Sequence, residues 1–203
     1  MPEKTAQKEP GKKPVPSKKP KPQQEVVVQI SLSELHPFPD HPFQVREDAS
    51  MQETAESVKE YGVLVPALAR PREDGGYELI AGHRRKHACE LAGLATMPVI
   101  VRDIDRDAAT IIMVDSNLQR ENILPSERAK AYKMKMEAIK RQGARTDLTS
   151  PKISAKFRSD DEVGQDAGVS GDTIRNYIAL TQLVPELQQM VDEKKIALSP
   201  AYQ

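Results

Sequence analysis

Residues 77–87 read Tyr77-Glu78-Leu79-Ile80-Ala81-Gly82-His83-Arg84-Arg85-Lys86-His87. An apolar strand ends, a glycine permits a tight turn, and basic side chains fall on the first turn of a helix. A helix N-terminus presents free N–H groups and the positive end of its dipole, and arginine adds forked donors. The stretch therefore reads as an anion site; a solvated basic face accounts for the same residues, and pattern alone leaves both open. Working outward, Val26-Val27-Val28-Gln29-Ile30 is a β-branched strand, and His36–Arg46 is a proline-broken loop. Ser50 with Glu53 reads as a capping box opening a helix with Met51, Ala55 and Val58 on one face, ending at Gly62. Strands follow at Ala67–Arg70 and Tyr77–Ile80, joined through Gly75-Gly76. The Gly82 helix runs to Gly93, and Met97–Val101 is one more strand. Residues 25–106 thus form a small α/β unit.

From residue 107 to 203 the pattern is helical. Ala108, Ile111, Ile112 and Leu118 mark one helix, and a second runs from about Ser126 to Gln142, stopping at Gly143. Residues 143–158 are polar and basic and read as a linker. Asp160–Ala167, a turn at Gly168-Val169-Ser170 and a helix from Gly171 to Leu180 give a helix-turn-helix pattern. Pro185 starts a last helix, Glu186–Glu193. In such a pair the second helix faces base edges, so Ser170, Gly171, Thr173, Arg175 and Asn176 are candidate DNA contacts; a structural helical hairpin gives the same pattern. Between the units, Asp115-Ser116-Asn117-Leu118-Gln119-Arg120-Glu121-Asn122 is dense in polar groups that bind a ligand or cap a helix end.

Composition narrows the class. The 203 residues hold 16 prolines, one cysteine and no tryptophan, which leaves no disulfide framework or CxxC metal site. No apolar run approaches the ~18 residues a membrane helix needs, and Met1-Pro2-Glu3-Lys4 does not open a signal peptide. A cytoplasmic chain with no membrane partner is the expectation. Net charge is zero but segregated: residues 1–24 carry seven lysines and two glutamates among six prolines and read as a disordered tail. Residues 120–158 hold eleven basic and four acidic side chains, whereas 159–203 hold three basic and eight acidic. A polyanion partner would therefore meet particular segments. Cys89, between Ala88 and Glu90, reads as a buried small hydrophobe.

Three motifs in order, Pro42-Phe43-Gln44-Val45-Arg46, Gly82-His83-Arg84-Arg85 and Asn117-Leu118-Gln119-Arg120-Glu121, followed by the helix-turn-helix, resemble the ParB family of chromosome- and plasmid-partition proteins. The similarity covers roughly residues 25–200. It implies an α/β N-terminal domain of the ParB/sulfiredoxin-like kind, followed by an all-α helix-turn-helix domain. It implies binding of CTP with Mg2+ by Gln44, Arg46, Gly82, His83, Arg84, Arg85, Ser116, Asn117 and Arg120, with Asn117 as the metal residue. It further implies a clamp on centromere-like double-stranded DNA, ligand-induced self-association, a ParA-type ATPase partner contacted through the lysine-rich tail, and association with the nucleoid. His83 and Ser116 stand where the family commonly has glutamate, which implies slow CTP turnover at most. Family members usually end in a dimerisation domain; the chain stops at Ala201-Tyr202-Gln203, so that domain is expected to be missing. A regulator on the same scaffold, or a sulfiredoxin-like phosphotransferase or nuclease, is the competing expectation. For the enzyme, only His83 is on offer beside Gly82.

Overall fold

The computed structural model describes residues 25–120, 122–147 and 159–201. The expected tail at 1–24, the 148–158 part of the expected linker, and Glu121 lie outside the described residues. Five strands form one mixed sheet: β1 Val27–Ser31, β2 Leu35–Pro37, β3 Ala67–Pro71, β4 Tyr77–Ala81 and β5 Thr96–Val101. They lie in the order β1-β5-β3-β4-β2, with β1–β5 and β3–β4 antiparallel and β3–β5 and β2–β4 parallel. Among the described residues eight α-helices follow in order: α1 Ala49–Tyr61, α2 His83–Leu91, α3 Arg106–Leu118, α4 Pro125–Asp147, α5 Ser159–Ala167, α6 Gly171–Ala179, α7 Pro185–Asp192 and α8 Leu198–Ala201. None of the described helices is long and apolar enough to cross a membrane.

Alternation along β4 decides the layering. Leu79 faces a core shared with Met51 and Val58 of α1 and Ala88 and Cys89 of α2. Its neighbour Ile80 faces the other side, against Phe38, Phe43 and Ala109, Met113 and Val114 of α3. Cys89 is fully buried, and burial pushes its thiol pKa up, which suits a packing role. α3 thus covers one face of the sheet.

α4 joins two cores through adjacent residues. Ala131 packs into the second sheet core, while Tyr132 packs with Val163 of α5 and Ile174 of α6. Polar ties reinforce this. The Nζ of Lys135, only 1% exposed, reaches Asp115 of α3 at 2.6 Å and Asp166 of α5 at 2.8 Å. Arg141 binds buried Asp107 of α3 at 2.7 Å, and Ser126 donates its N–H and hydroxyl to Asp192 of α7. Burial pulls the Lys135 pKa down, but the hydrogen bonds from its ammonium to Asp115 and Asp166 outweigh this and leave it raised.

Three local expectations are corrected. Leu35–Pro37 is a strand, paired parallel with β4, and takes in the first two residues of the expected loop. Three residues ending in proline carry no alternation to read, and their partner lies some 40 positions away. The α1 N-cap is Asp48, whose carboxylate accepts the Met51 N–H, not Ser50. α4 passes through Gly143 to Asp147, since one exposed glycine costs a helix only about 1 kcal/mol.

Lys135→Met should lower stability by about 2 kcal/mol. Removing one partner of a buried pair typically costs about 3–5 kcal/mol, but here both aspartates are half exposed and rehydrate. Chemical denaturation checks this, and a transition coincident with wild type would show the clasp idle.

Candidate nucleotide and DNA sites

The turn at Gly82 builds the first site. Its φ of 112° and ψ of 18° lie in the left-handed region, and a Cβ there would stand 2.8 Å from the Ala67 side chain. Only glycine meets both demands. The turn delivers the α2 N-terminus beside β3, with His83, Arg84, Arg85 and Lys86 on its first turn. Arg84 donates to Ser50 Oγ at 3.2 Å and lies 3.8 Å from Asp48. Arg85 donates to the carbonyls of Val65 and Pro66, which fixes the entry to β3 and commits part of its guanidinium.

The third wall comes from the α3 C-terminus. Arg120 follows α3, and its charge bears on His41, His83 and Arg85. Burial first, and then Arg84, hold the Arg120 guanidinium below its ordinary range. Arg84 bearing on Arg120, and Arg120 on Arg85, mark cations gathered in one place. Asn117 is buried; its amide donates to the Met113 carbonyl at 2.8 Å and lies 3.3 Å from Ser116 Oγ, while the Ser116 hydroxyl also donates to Met113. Both side chains therefore finish their own helix in this structure, which is the capping alternative for that polar run. Gln44 and Arg46 are exposed on the loop before α1, and the Gln44 N–H donates to Glu127 of α4 at 3.1 Å. Glu127 also accepts from Leu124, so both its oxygens serve backbone amides.

Sequence reasoning passed over His41. Its ring lies 3.9 Å from that of His83, tilted by 48°, and its Nδ1 donates to the Phe43 carbonyl at 2.7 Å. The only signal was its place directly before Pro42-Phe43-Gln44. His83 is pushed down to about 3, by burial foremost and then by the neighbouring charges of His41, Arg120 and Lys86.

The second site is the α5–turn–α6 unit. Ser170 caps α6 by accepting the Thr173 N–H at 3.2 Å, and the two hydroxyls lie 2.9 Å apart. Gly164 and Gly171 let the helices close on each other: a Cβ at Gly164 would meet the Val169 carbonyl at 2.6 Å, and one at Gly171 would meet Asp161 at 2.2 Å. Gly171, a candidate DNA contact in the sequence, is thus buried at the start of α6 against Asp161. The Arg175 guanidinium is paired with Asp160 and Asp172. Thr173 and Asn176 are half-buried on the same helix.

Residues 16–118 match the family model described as the ParB N-terminal domain. The chain is 35% identical over 176 residues to the chromosome-partitioning protein Spo0J of Thermus thermophilus, covering 86% of this chain and 58% of that protein. The chain spans about half the length of the curated relatives it matches. Among solved structures, the C-terminally truncated chromosome-partitioning protein ParB from Caulobacter crescentus, complexed to the centromeric parS site, matches with 26% identity and a TM-score of 0.56, covering 86% of this chain and 82% of that one. A Pnob8-like ParB-N domain shares the fold at 18% identity and a TM-score of 0.59, covering 88% and 78%.

Gly82→Ala should cost about 2–3 kcal/mol, combining left-handed strain with displacement of Ala67. Thermal melting tests this; an unchanged midpoint would show that the turn does not require glycine.

Proposed function

The chain belongs to the ParB N-terminal domain family, and on that premise we propose that it is a DNA-partition protein in which CTP bound at the Gly82 turn governs a clamp on DNA. The observation that carries the nucleotide reading is the convergence of Arg84, Arg85 and Arg120 on the N-terminus of α2. A run of linked phosphates is the ligand class that several fixed cations and free helix amides recognise together. Arg84 and Arg120 carry most of the phosphate binding, since Arg85 already serves two carbonyls. Gln44 and Arg46, on the facing loop, close over the nucleotide, and Ser116 and Asn117 hold the α3 end against it.

DNA lies along α6, with Ser170, Thr173 and Asn176 toward it and Arg175 exchanging a carboxylate for phosphate. Residues 159–203 are net acidic, so the basic 120–158 stretch supplies much of the backbone attraction. Nucleotide binding moves α3, and α4 passes the movement to α5 through the Lys135 clasp. A ligand shifts such an equilibrium only by binding one state better than the other. Ligand-induced self-association, a ParA-type ATPase as partner, a border of two units near residue 106, and a place on the nucleoid complete the proposal.

Mg2+, implied alongside CTP by the family resemblance, meets an unsuitable donor set. That ion takes oxygen ligands, chiefly carboxylates and waters. The pocket instead presents two imidazoles and four cationic side chains; of the oxygens near them, both of Glu127 are taken, Asp48 Oδ1 serves the Met51 N–H beside Arg84, and the Asn117 amide supplies one neutral oxygen. Among the described residues no three histidine, cysteine or acidic side chains are grouped to hold a metal. These residues do not fit Mg2+, and no step here passes through it.

Labelled-nucleotide binding, comparing CTP with ATP, GTP and UTP with and without centromere-like DNA, tests the reading. CTP should bind best. Arg84→Ala and Arg120→Ala should each weaken it by about 1.5–3 kcal/mol, with the fold intact by circular dichroism. Equal binding of all four nucleotides, or CTP affinity unchanged in both variants, would overturn it.

A further inference from the structure

The His41–His83 pair is the part of the pocket that anion binding by arginines leaves unused. A carbonyl can only accept, so His41 Nδ1 carries the proton it shares with Phe43, and the lone pair of the neutral ring sits on Nε2. The Nε2 atoms of both His41 and His83 are buried with no hydrogen-bond partner among the described residues. Buried ring nitrogens left unpaired are costly, and they cluster where a ligand or proton belongs. Arg120 from the end of α3 and Glu127 from α4 bear on His41, and His83 stacks on it from α2. His83 is faced by the neutral His41 ring and by two cations, Arg120 and Lys86.

This field repels every cation, whether proton or metal, until an anion arrives. Burial foremost, and Arg120 after it, keep both rings below the ordinary imidazole range. The two rings nonetheless differ. The bond to Phe43 and the nearby Glu127 carboxylate both favour charge on His41, whereas His83 has no such support.

We propose that an oligophosphate entering this pocket is neutralised by proton uptake at His41 Nε2 instead of by a divalent cation, with His83 remaining neutral beside it. The proposal deepens the nucleotide reading and rests on it. One proton leaves solvent, an N–H bond forms at Nε2, and the imidazolium keeps that proton while donating a hydrogen bond through it to a phosphate oxygen; no bond of the ligand breaks. The pair stands in for the metal: a fixed cation that exists only while the anion is present.

Calorimetric titration of the protein with CTP, and separately with inorganic tripolyphosphate, tests this in EDTA and in Mg2+. Buffers of differing ionisation enthalpy count the protons. EDTA should change affinity by no more than about twofold, and binding should tighten by up to about tenfold per pH unit as pH falls from about 8 to 7, the limit for one proton. Net uptake must come from the protein, because so positive a site can only draw protons off the ligand. His41→Gln should remove the uptake, and His83→Glu should make binding Mg2+-dependent. The wild-type proton count decides the matter even where a variant folds poorly.

CTP binding that collapses in EDTA, or shows no proton uptake, would overturn the proposal and leave the nucleotide reading standing. Tripolyphosphate binding with uptake, and CTP no tighter, would uphold the proposal and sink the nucleotide reading. Failure of both anions to bind would overturn both.

Discussion

A single buried ammonium holds the molecule's parts in register. Lys135 projects from α4 and is 1% exposed, with Asp115 of α3 on one side and Asp166 of α5 on the other. A buried lysine is tolerable only when paired, so α3, α4 and α5 must stay close or leave a charge stranded. Asp115 lies two residues before Asn117 on α3, on a different face of the helix. One face of α3 thus meets the clasp, while its end delivers Arg120 to the basic pocket. The geometry gives a short mechanical path between the Gly82 turn and α6, carried by packed elements.

The pocket depends in turn on the sheet. Antiparallel pairing of β3 with β4 places the Gly82 turn beside Ala67, and parallel pairing of β2 with β4 brings the Phe38–Phe43 loop under α3. Glu127 then holds that loop to the start of α4 through the Gln44 N–H. His41, His83, Arg84 and Arg120 come from three separate stretches of chain. Their closeness follows from topology and two buried cores.

Much of this was legible in the sequence where the signal is local. β4, Gly82 and α2 read directly, because a strand, an obligatory glycine and a basic helical turn fall within eleven residues. The Ser170 cap and the glycine-bearing turn before it likewise announce α5 and α6. What escaped was non-local or ambiguous in kind. β2 exists only through its pairing with β4, and Asp48 competes with Ser50 as a cap within two residues. The Lys135 clasp joins positions 20 and 31 residues away, and no pattern on α4 marks that lysine from its neighbours. His41 becomes notable only once His83 lies against it. Arg175 and Gly171 look like surface contacts in sequence, yet one is paired with two carboxylates and the other is packed beneath Asp161.

Coupling between the pocket and the α5–α6 pair is the central claim, and backbone hydrogen–deuterium exchange with and without CTP tests it most directly. Occupancy of the pocket should change exchange at residues 82–86 and 117–120, and also in α5 and α6, which touch no nucleotide. Change confined to the pocket, with α5 and α6 exchanging as in the free protein, would contradict it.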